Sequence, residues 1–323
     1  MQPSLAIMSN ETATSDYSVE RLTAERLKDV EQLYEAVYGR LASPGYFTIK
    51  YNTAYTGLQY VGYVAYNKDS IPVAYYGVVP CFLQNGNEKI IAAQSADTMT
   101  HPKFRYKGMF VELSNITFDL CRQLGIRLIF GFPNQNSYHG AVHKLGWKLT
   151  HTIECFFIPV RSLPIASLSA KTSLTKSIYK KYRRWILMNY QKEEKLIPSS
   201  VVREGFIGVR RDSDYGKSKD YHPREVLKIG DTNVWCKVAN EWVIGDMNVV
   251  AADFETTIRQ IEKIAAKLGV RQIQFHVSPG TELHSLFASR YTSIPSFPAL
   301  FQHFDPTVDI EKVKFSFADI DIF

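Results

Sequence analysis

Leu27, Val30, Leu33, Tyr34 and Val37 recur every three or four residues, so Thr23 to Tyr38 predict an amphipathic helix. Ahead of it, Val19 to Leu22 predict a short strand, and residues 1–16 are polar and predict a flexible lead-in. The apolar period then changes. Tyr60 to Tyr66 and Ile71 to Leu83 are rich in Val and Tyr and alternate or run apolar, which predicts two strands joined by a turn at Asn67 to Ser70. Asn85-Gly86 predicts a tight hairpin into a third strand, Glu88 to Met99. A long helix then runs to Leu124, with Gly125 as its C-terminal cap. Arg127 to Phe132 predict a strand, Gln135 to Leu145 a short helix ending at Gly146, and Trp147 to Val160 another strand. This order predicts an α/β protein with a mixed, mostly antiparallel sheet flanked by helices.

The second half echoes the first. Leu124-Gly125-Ile126-Arg127 precedes one apolar strand, and Leu268-Gly269-Val270-Arg271 precedes another, Gln272 to Val277, at an offset of 144 residues. The same offset carries Trp147 onto Tyr291, and the helix Phe254 to Lys267 matches the helix before the first copy. Proline breaks each half in a similar place, at Pro159 and at Pro295 or Pro298. Two tandem copies of one fold are therefore expected, the first in residues 1–165, the second in 166–323 with a linking helix. That helix, Ser173 to Gln191, has Leu174, Ile178, Tyr182, Trp185 and Ile186 on one face. Lys176, Lys180, Lys181, Arg183 and Arg184 lie mostly on the other, which reads as a solvated basic face, with nucleotide, RNA or membrane-surface contact as alternatives. Leu196 to Pro223 are turn-rich and charged and suit a loop over a site.

Composition narrows the function. The 323 residues are 45% hydrophobic and 22% charged, enough for two cores without disulfide staples. The 19 Tyr and 19 Phe suit an aromatic-rich core. A formal charge of +6 fits an anionic small molecule but lacks the density of a dedicated nucleic-acid binder. Cys81, Cys121, Cys155 and Cys236 lie far apart without metal or redox spacing, so reduced, mostly buried thiols in a cytoplasmic protein are expected. Met1 to Met8 show no secretory pattern, and no apolar run approaches the ~20 residues that span a bilayer. No membrane partner is expected, and no metal either: His139 and His143 sit one helical turn apart without a nearby third ligand.

The chemistry concentrates in Ser95 to Phe110. A strand ends near Met99, a basic loop follows, and a helix opens around Gly108. Such a loop presents backbone N–H groups, and the helix dipole adds partial positive charge. Arg105 and Lys107 supply full charges, and Gly108 lacks the Cβ that would keep a phosphate from the backbone. A pyrophosphate fits this loop. So does the plainer reading of a glycine at a strand-to-helix turn with solvated Lys and Arg.

The stretch resembles the acyl-CoA-binding motif of the GNAT superfamily, which reads Arg or Gln, two residues, Gly, one residue, then Gly or Ala. Arg105 and Gly108 match; Phe110 departs from the small third residue, which suggests a wider helix entry or an altered pocket. Phe130-Gly131-Phe132-Pro133-Asn134-Gln135-Asn136-Ser137, with Gly146-Trp147 after it, is similar to the strand, asparagine-bearing helix and Gly-aromatic ending of that family. The resemblance covers residues 17–160 well and 200–310 only through the echo.

The resemblance implies two tandem GNAT-like domains and a transfer from acyl-CoA (acetyl-CoA or 3-hydroxybutyryl-CoA) to an amine. Thr98, Met99 and Thr100 would line the pantetheine arm, and Arg105, Tyr106, Lys107, Gly108, Met109 and Phe110 would hold the pyrophosphate. Asn134 and Asn136 would reach the pantetheine or its thioester end. Asp97 stands where a carboxylate of the family accepts the amine proton or orients the amine. The family's general-acid tyrosine is replaced by Val142, leaving Tyr138 and His143 as substitutes, or water. The second copy has Val249 and Ala252 in place of Arg105 and Gly108, so no CoA is expected there. Asp97-Thr98-Met99 and Phe132-Pro133-Asn134 look similar to the tandem enzymes that acylate nucleotide-linked amino sugars for surface polysaccharides. That implies a dTDP-3-amino-3,6-dideoxyhexose as acceptor. A Fem-like aminoacyl-tRNA-dependent transferase and a non-catalytic acyl-CoA-binding module are the alternatives.

Overall fold

The computed structural model describes residues 17–105, 108–169 and 172–323; the expected lead-in at 1–16, and Tyr106 and Lys107 of the basic loop, lie outside the described residues. The first half contains β1 (Tyr17–Arg21), α1 (Leu27–Tyr38), α2 (Tyr46–Lys50), β2 (Val61–Asn67), β3 (Pro72–Asn85), β4 (Glu88–Thr100), α3 (Met109–Gln123), β5 (Leu128–Gly131), α4 (Gln135–His139) and β6 (Lys148–Pro159). Next come α5 (Ile165–Ser169), α6 (Ser173–Leu187), α7 (Ser200–Arg203), β7 (Gly208–Val209) and α8 (Ser213–Ser218). The remainder is β8 (Glu225–Ile229), β9 (Thr232–Val238), β10 (Trp242–Met247), α9 (Phe254–Leu268), β11 (Gln272–Val277), α10 (Glu282–Ala288) and β12 (Ser293–His303).

One mixed sheet runs through the molecule in the order β1-β2-β3-β4-β5-β12-β6-β11-β10-β9-β8, with β7 paired to the end of β3. Each half contributes one parallel pair, β4 with β5 and β10 with β11. The helix α3 or α9 makes the crossover, as parallel neighbours require. Both helices end on a left-handed glycine, Gly125 and Gly269, in the two halves of the echo. The last strands are exchanged. β12 inserts between β5 and β6, pairing Leu300 with Gly131 on one side and with Leu149 on the other. β6 in turn pairs with β11, Cys155 opposite His276. Each half's sheet is thus completed by the other half's final strand.

β3 is buried on both faces from Pro72 to Val78, because α3 packs on one side and α1 on the other. Helices α3 and α4 share a core with Ile129 and Trp147, whereas α1 and α2 cover Tyr75 and Met99 on the opposite face. The segment 308–323 packs Phe315, Phe317 and Phe323 against β3, β5 and β9 on that second face. Leu196 to Pro223 are not an open loop: α7, β7 and α8 form there, and Ile197, Val201, Ile207, Val209 and Tyr215 are buried. In α6 the packed face is Tyr179, Tyr182 and Ile186, while Leu174, Ile178 and Trp185 are exposed. The expected apolar face therefore splits, because Tyr179 and Tyr182 donate hydrogen bonds to the carbonyls of Leu268 and Lys267 at the end of α9. All four cysteines are free and buried. Among the described residues no helix is long and apolar enough to cross a membrane.

Candidate functional site

The parallel pairing of β4 and β5 covers only Ala92 to Gln94 on β4. β4 continues to Thr100, while β5 stops at Gly131, so the two strands open into a cleft. At its mouth β4 carries a bulge. Tyr75 pairs with Met99 but Gly77 pairs with Ala96, so Asp97 and Thr98 stand opposite the single residue Tyr76. Asp97 adopts φ +52°, a left-handed conformation uncommon for a residue other than glycine. The bulge turns the Asp97 side chain to the α1/α2 face and into a buried polar cluster.

Lys50, at the end of α2, is the hub of that cluster. Its side chain is fully buried, and its Nζ lies 2.7 Å from Asp97 Oδ2 and 2.8 Å from Asp321 Oδ2. Lys50 Nζ also donates to the Tyr46 hydroxyl at 2.9 Å. Burial alone would neutralise Lys50, but Asp321 and Asp97 outweigh it and hold the pKa well above that of a free lysine. Tyr46 donates to Asp97 Oδ1 at 3.2 Å and Tyr51 to Oδ2 at 3.1 Å. Burial, reinforced by the Asp97 charge, raises both tyrosines and keeps them protonated donors. Gln94 Nε2 donates to Asp321 Oδ1 at 3.1 Å. A carboxylate can accept about four hydrogen bonds. Asp97 receives three here, which leaves acceptor capacity for one more donor.

His101 to Phe104 make a short turn, Arg105 is exposed, and Gly108 takes φ +80° at the N-cap of α3 with open space where a Cβ would stand. Thr98 and Thr100 are half-buried at the end of β4, whereas Met99 points into the α1/α2 core. Met109 is buried beneath α3. Phe110 packs against the facing segment. Its ring lies over the α-carbon of Gly140, where an added Cβ would meet Phe110 Cε1 at 2.9 Å, and it meets the Tyr76 ring edge-on at 6.2 Å. The bulk of Phe110 is thus accommodated by a glycine on the facing segment.

On that segment Asn134 caps α4, its side-chain oxygen accepting from the N–H groups of Asn136 and Ser137 at 2.9 and 3.2 Å. Asn136 is exposed. Tyr138 packs against the α3 core, and His143 is exposed with its ring 4.6 Å from that of His139. The strand end of β4, the left-handed glycine before α3 and the asparagine cap of α4 are each formed. Lys50, Tyr46, Tyr51, Gln94 and Asp321 belong to no sequence motif that marks them as a cluster. The one local signal was a lysine set among aromatics in Tyr46-Phe47-Thr48-Ile49-Lys50-Tyr51.

No family model matches the chain, and no curated protein matches it in sequence. Solved structures do match its fold. A conserved protein of Enterococcus faecalis V583 superposes with a TM-score of 0.60 at 12% identity, over 90% of this chain and 73% of the other. A GCN5-related N-acetyltransferase from Kribbella flavida gives 0.57 at 12% identity, over 90% and 72%. Another from Anabaena variabilis gives 0.54 at 11%, over 90% and 73%. With its opened parallel strands, bulged β4 and glycine-started α3, the chain has the mixed α/β fold of the GCN5-related N-acetyltransferases, with a second such unit in tandem.

Proposed function

We propose that this chain is an acyl-CoA-dependent N-acyltransferase whose donor site lies in residues 1–165. The observation that carries the reading is the Asp97 bulge, which sets a carboxylate with spare acceptor capacity at the mouth of the β4–β5 cleft, beside a glycine-started helix. The N–H groups of Met109 and Phe110 precede the first intrahelical bonds of α3, which Val111 and Glu112 donate to the Gly108 carbonyl, and they suit a pyrophosphate, with Arg105 and, from the sequence, Tyr106 and Lys107 beside them. The free edge of Thr98 to Thr100 suits an extended amide arm, with Asn134 and Asn136 across the cleft. Bound acyl-CoA supplies the thioester.

Asp97 takes the proton from the attacking amine, directly or through water, so that the nitrogen lone pair reaches the thioester carbon. Lys50, Tyr46 and Tyr51 hold the Asp97 carboxylate in place at the bulge. A backbone N–H after the bulge, at Thr98 or Met99, faces the negative charge that develops on the carbonyl oxygen. The departing thiolate takes a proton from Tyr138, His143 or water. In the second half, Asn248 to Asp253 join β10 to α9 with no basic residue, so that unit supports the fold and the acceptor rather than a donor. The acceptor proposed from the resemblance is a nucleotide-linked amino sugar. Calorimetric titration with CoA tests the donor site: one molecule per chain, bound about tenfold more weakly by Arg105→Ala, is expected. Two molecules per chain, or none, contradicts the reading.

A further inference from the structure

Buried cations in this fold are paired with acids in two places. Lys50 sits between Asp97 and Asp321, and the buried Arg211 sits between Asp246 and Asp319 at 2.6 and 2.7 Å. Lys219, Arg224 and Lys237 differ: among the described residues none forms an ion pair with an Asp or Glu side chain. Lys219 donates to the carbonyls of Ile320 at 2.6 Å and Phe323 at 3.4 Å. Lys237 donates to the Ile322 carbonyl at 2.8 Å. Arg224 lies over the Trp235 ring at 5.2 Å, and its Nη1 is buried without a hydrogen-bond partner among the described residues. A half-buried guanidinium with an idle N–H is costly unless something completes it.

These groups border the Asp97 cluster. The carbonyl that holds Lys237 belongs to the residue after Asp321, which pairs with Lys50. The Tyr221 ring lies 5.6 Å from Lys50 Nζ and 5.0 Å from the His222 ring, and His222 lies 5.6 Å from the Tyr46 ring. Residues of the second half therefore border the Asp97 cluster, and Arg224 over Trp235 and Lys237 over Phe323 lie next to one another, since those two rings meet at 5.5 Å.

We propose that Arg224 and Lys237, with Lys219 behind them, form a binding site for the diphosphate of the acceptor. A guanidinium fork with free N–H groups matches phosphate oxygens. Several unpaired cations suit a multiply charged anion better than a single carboxylate. Burial and the neighbouring Arg224 pull Lys219 well below a free lysine and Lys237 to about 8, and an arriving anion would reverse both shifts. The site rests on the acyltransferase reading for its meaning, since it places the anionic end of the acceptor beside the carboxylate that handles its amine. It also matches the nucleotide-linked acceptor without depending on which sugar is carried.

The test is calorimetric titration of the full chain with inorganic pyrophosphate and, separately, with succinate. Pyrophosphate binding that survives Arg105→Ala and weakens about tenfold or more in both Arg224→Gln and Lys237→Gln is expected. Lys237 is half-buried, so Lys237→Gln reads the site even if Arg224→Gln disturbs the packing on Trp235. Unchanged pyrophosphate affinity in Lys237→Gln overturns the site, and tighter binding of succinate than of pyrophosphate overturns the phosphate assignment. Acyl transfer is followed independently. Transfer to an amine with pyrophosphate binding indifferent to Lys237 removes this site and keeps the enzyme. Pyrophosphate binding that needs Lys237, without transfer to any amine, does the reverse.

Discussion

Lys50 has no contact with water, so its charge depends wholly on Asp97, Asp321 and two tyrosines. Lys50→Met would leave two carboxylates facing each other, and a loss of about 3–5 kcal/mol is expected in urea unfolding. An unchanged midpoint would contradict the pairing. Asp97→Asn keeps the shape of the cluster and removes the proton acceptor, so turnover should fall about 10²–10⁴-fold with CoA affinity unchanged. His151, His222 and His276 each have a pKa lowered to about 4, chiefly by burial. The unfolded chain binds protons on these residues below about 6.5, whereas the folded chain resists until about 4, so stability falls as pH drops through that window. The urea midpoint should therefore be lower at pH 5 than at pH 7; an equal or higher midpoint at pH 5 contradicts the burial. The strand end at Asp97 and the left-handed glycine that opens α3 at Gly108 are legible in the sequence because they occupy one short motif. Asp321 was not, because it meets Lys50 across 271 positions and no local pattern reports such a contact.

Among elements, the approach of α3 to the segment after α4 depends on Phe110 meeting Gly140. Gly140→Ala should cost about 1–3 kcal/mol through overpacking, and Phe110→Ala should relieve that clash. In a double-mutant cycle the two changes should be less damaging together than their sum. Simple additivity would mean that the ring does not rest there. Helices α1, α3 and α9 were legible because their apolar residues keep one stripe and end at a glycine in the left-handed region. The packed face of α6 is not legible in the sequence, because apolar side chains lie on two sides of the helix and Tyr179, Tyr182 and Ile186 are the ones that pack. Strands β8 to β10 were not read at all, being short and separated by the tight turns at Gly230 and Asn240.

At the scale of the whole molecule, the exchange of β6 and β12 ties the halves together. Neither sheet is complete without the other half's last strand, so a single cooperative unfolding transition is expected. Fluorescence of Trp147 in the first half, and of Trp235 and Trp242 in the second, should change with backbone circular dichroism in one coincident transition. Two separated transitions would contradict this coupling. The 144-residue echo announced two copies of one unit, but strand periodicity reports only which residues face a core. It does not name a strand's neighbours, so the exchange was not legible. The exchange joins the two units, and the segment 308–323 brings Asp321 to Lys50, so the Asp97 cluster draws residues from both halves. The most direct test of that arrangement is free-thiol release from acetyl-CoA or 3-hydroxybutyryl-CoA in the presence of dTDP-linked amino sugars. Release that requires the amine and falls at least about 100-fold in Asp97→Asn is expected. Absence of release with every amine offered, or release indifferent to Asp97, would contradict it.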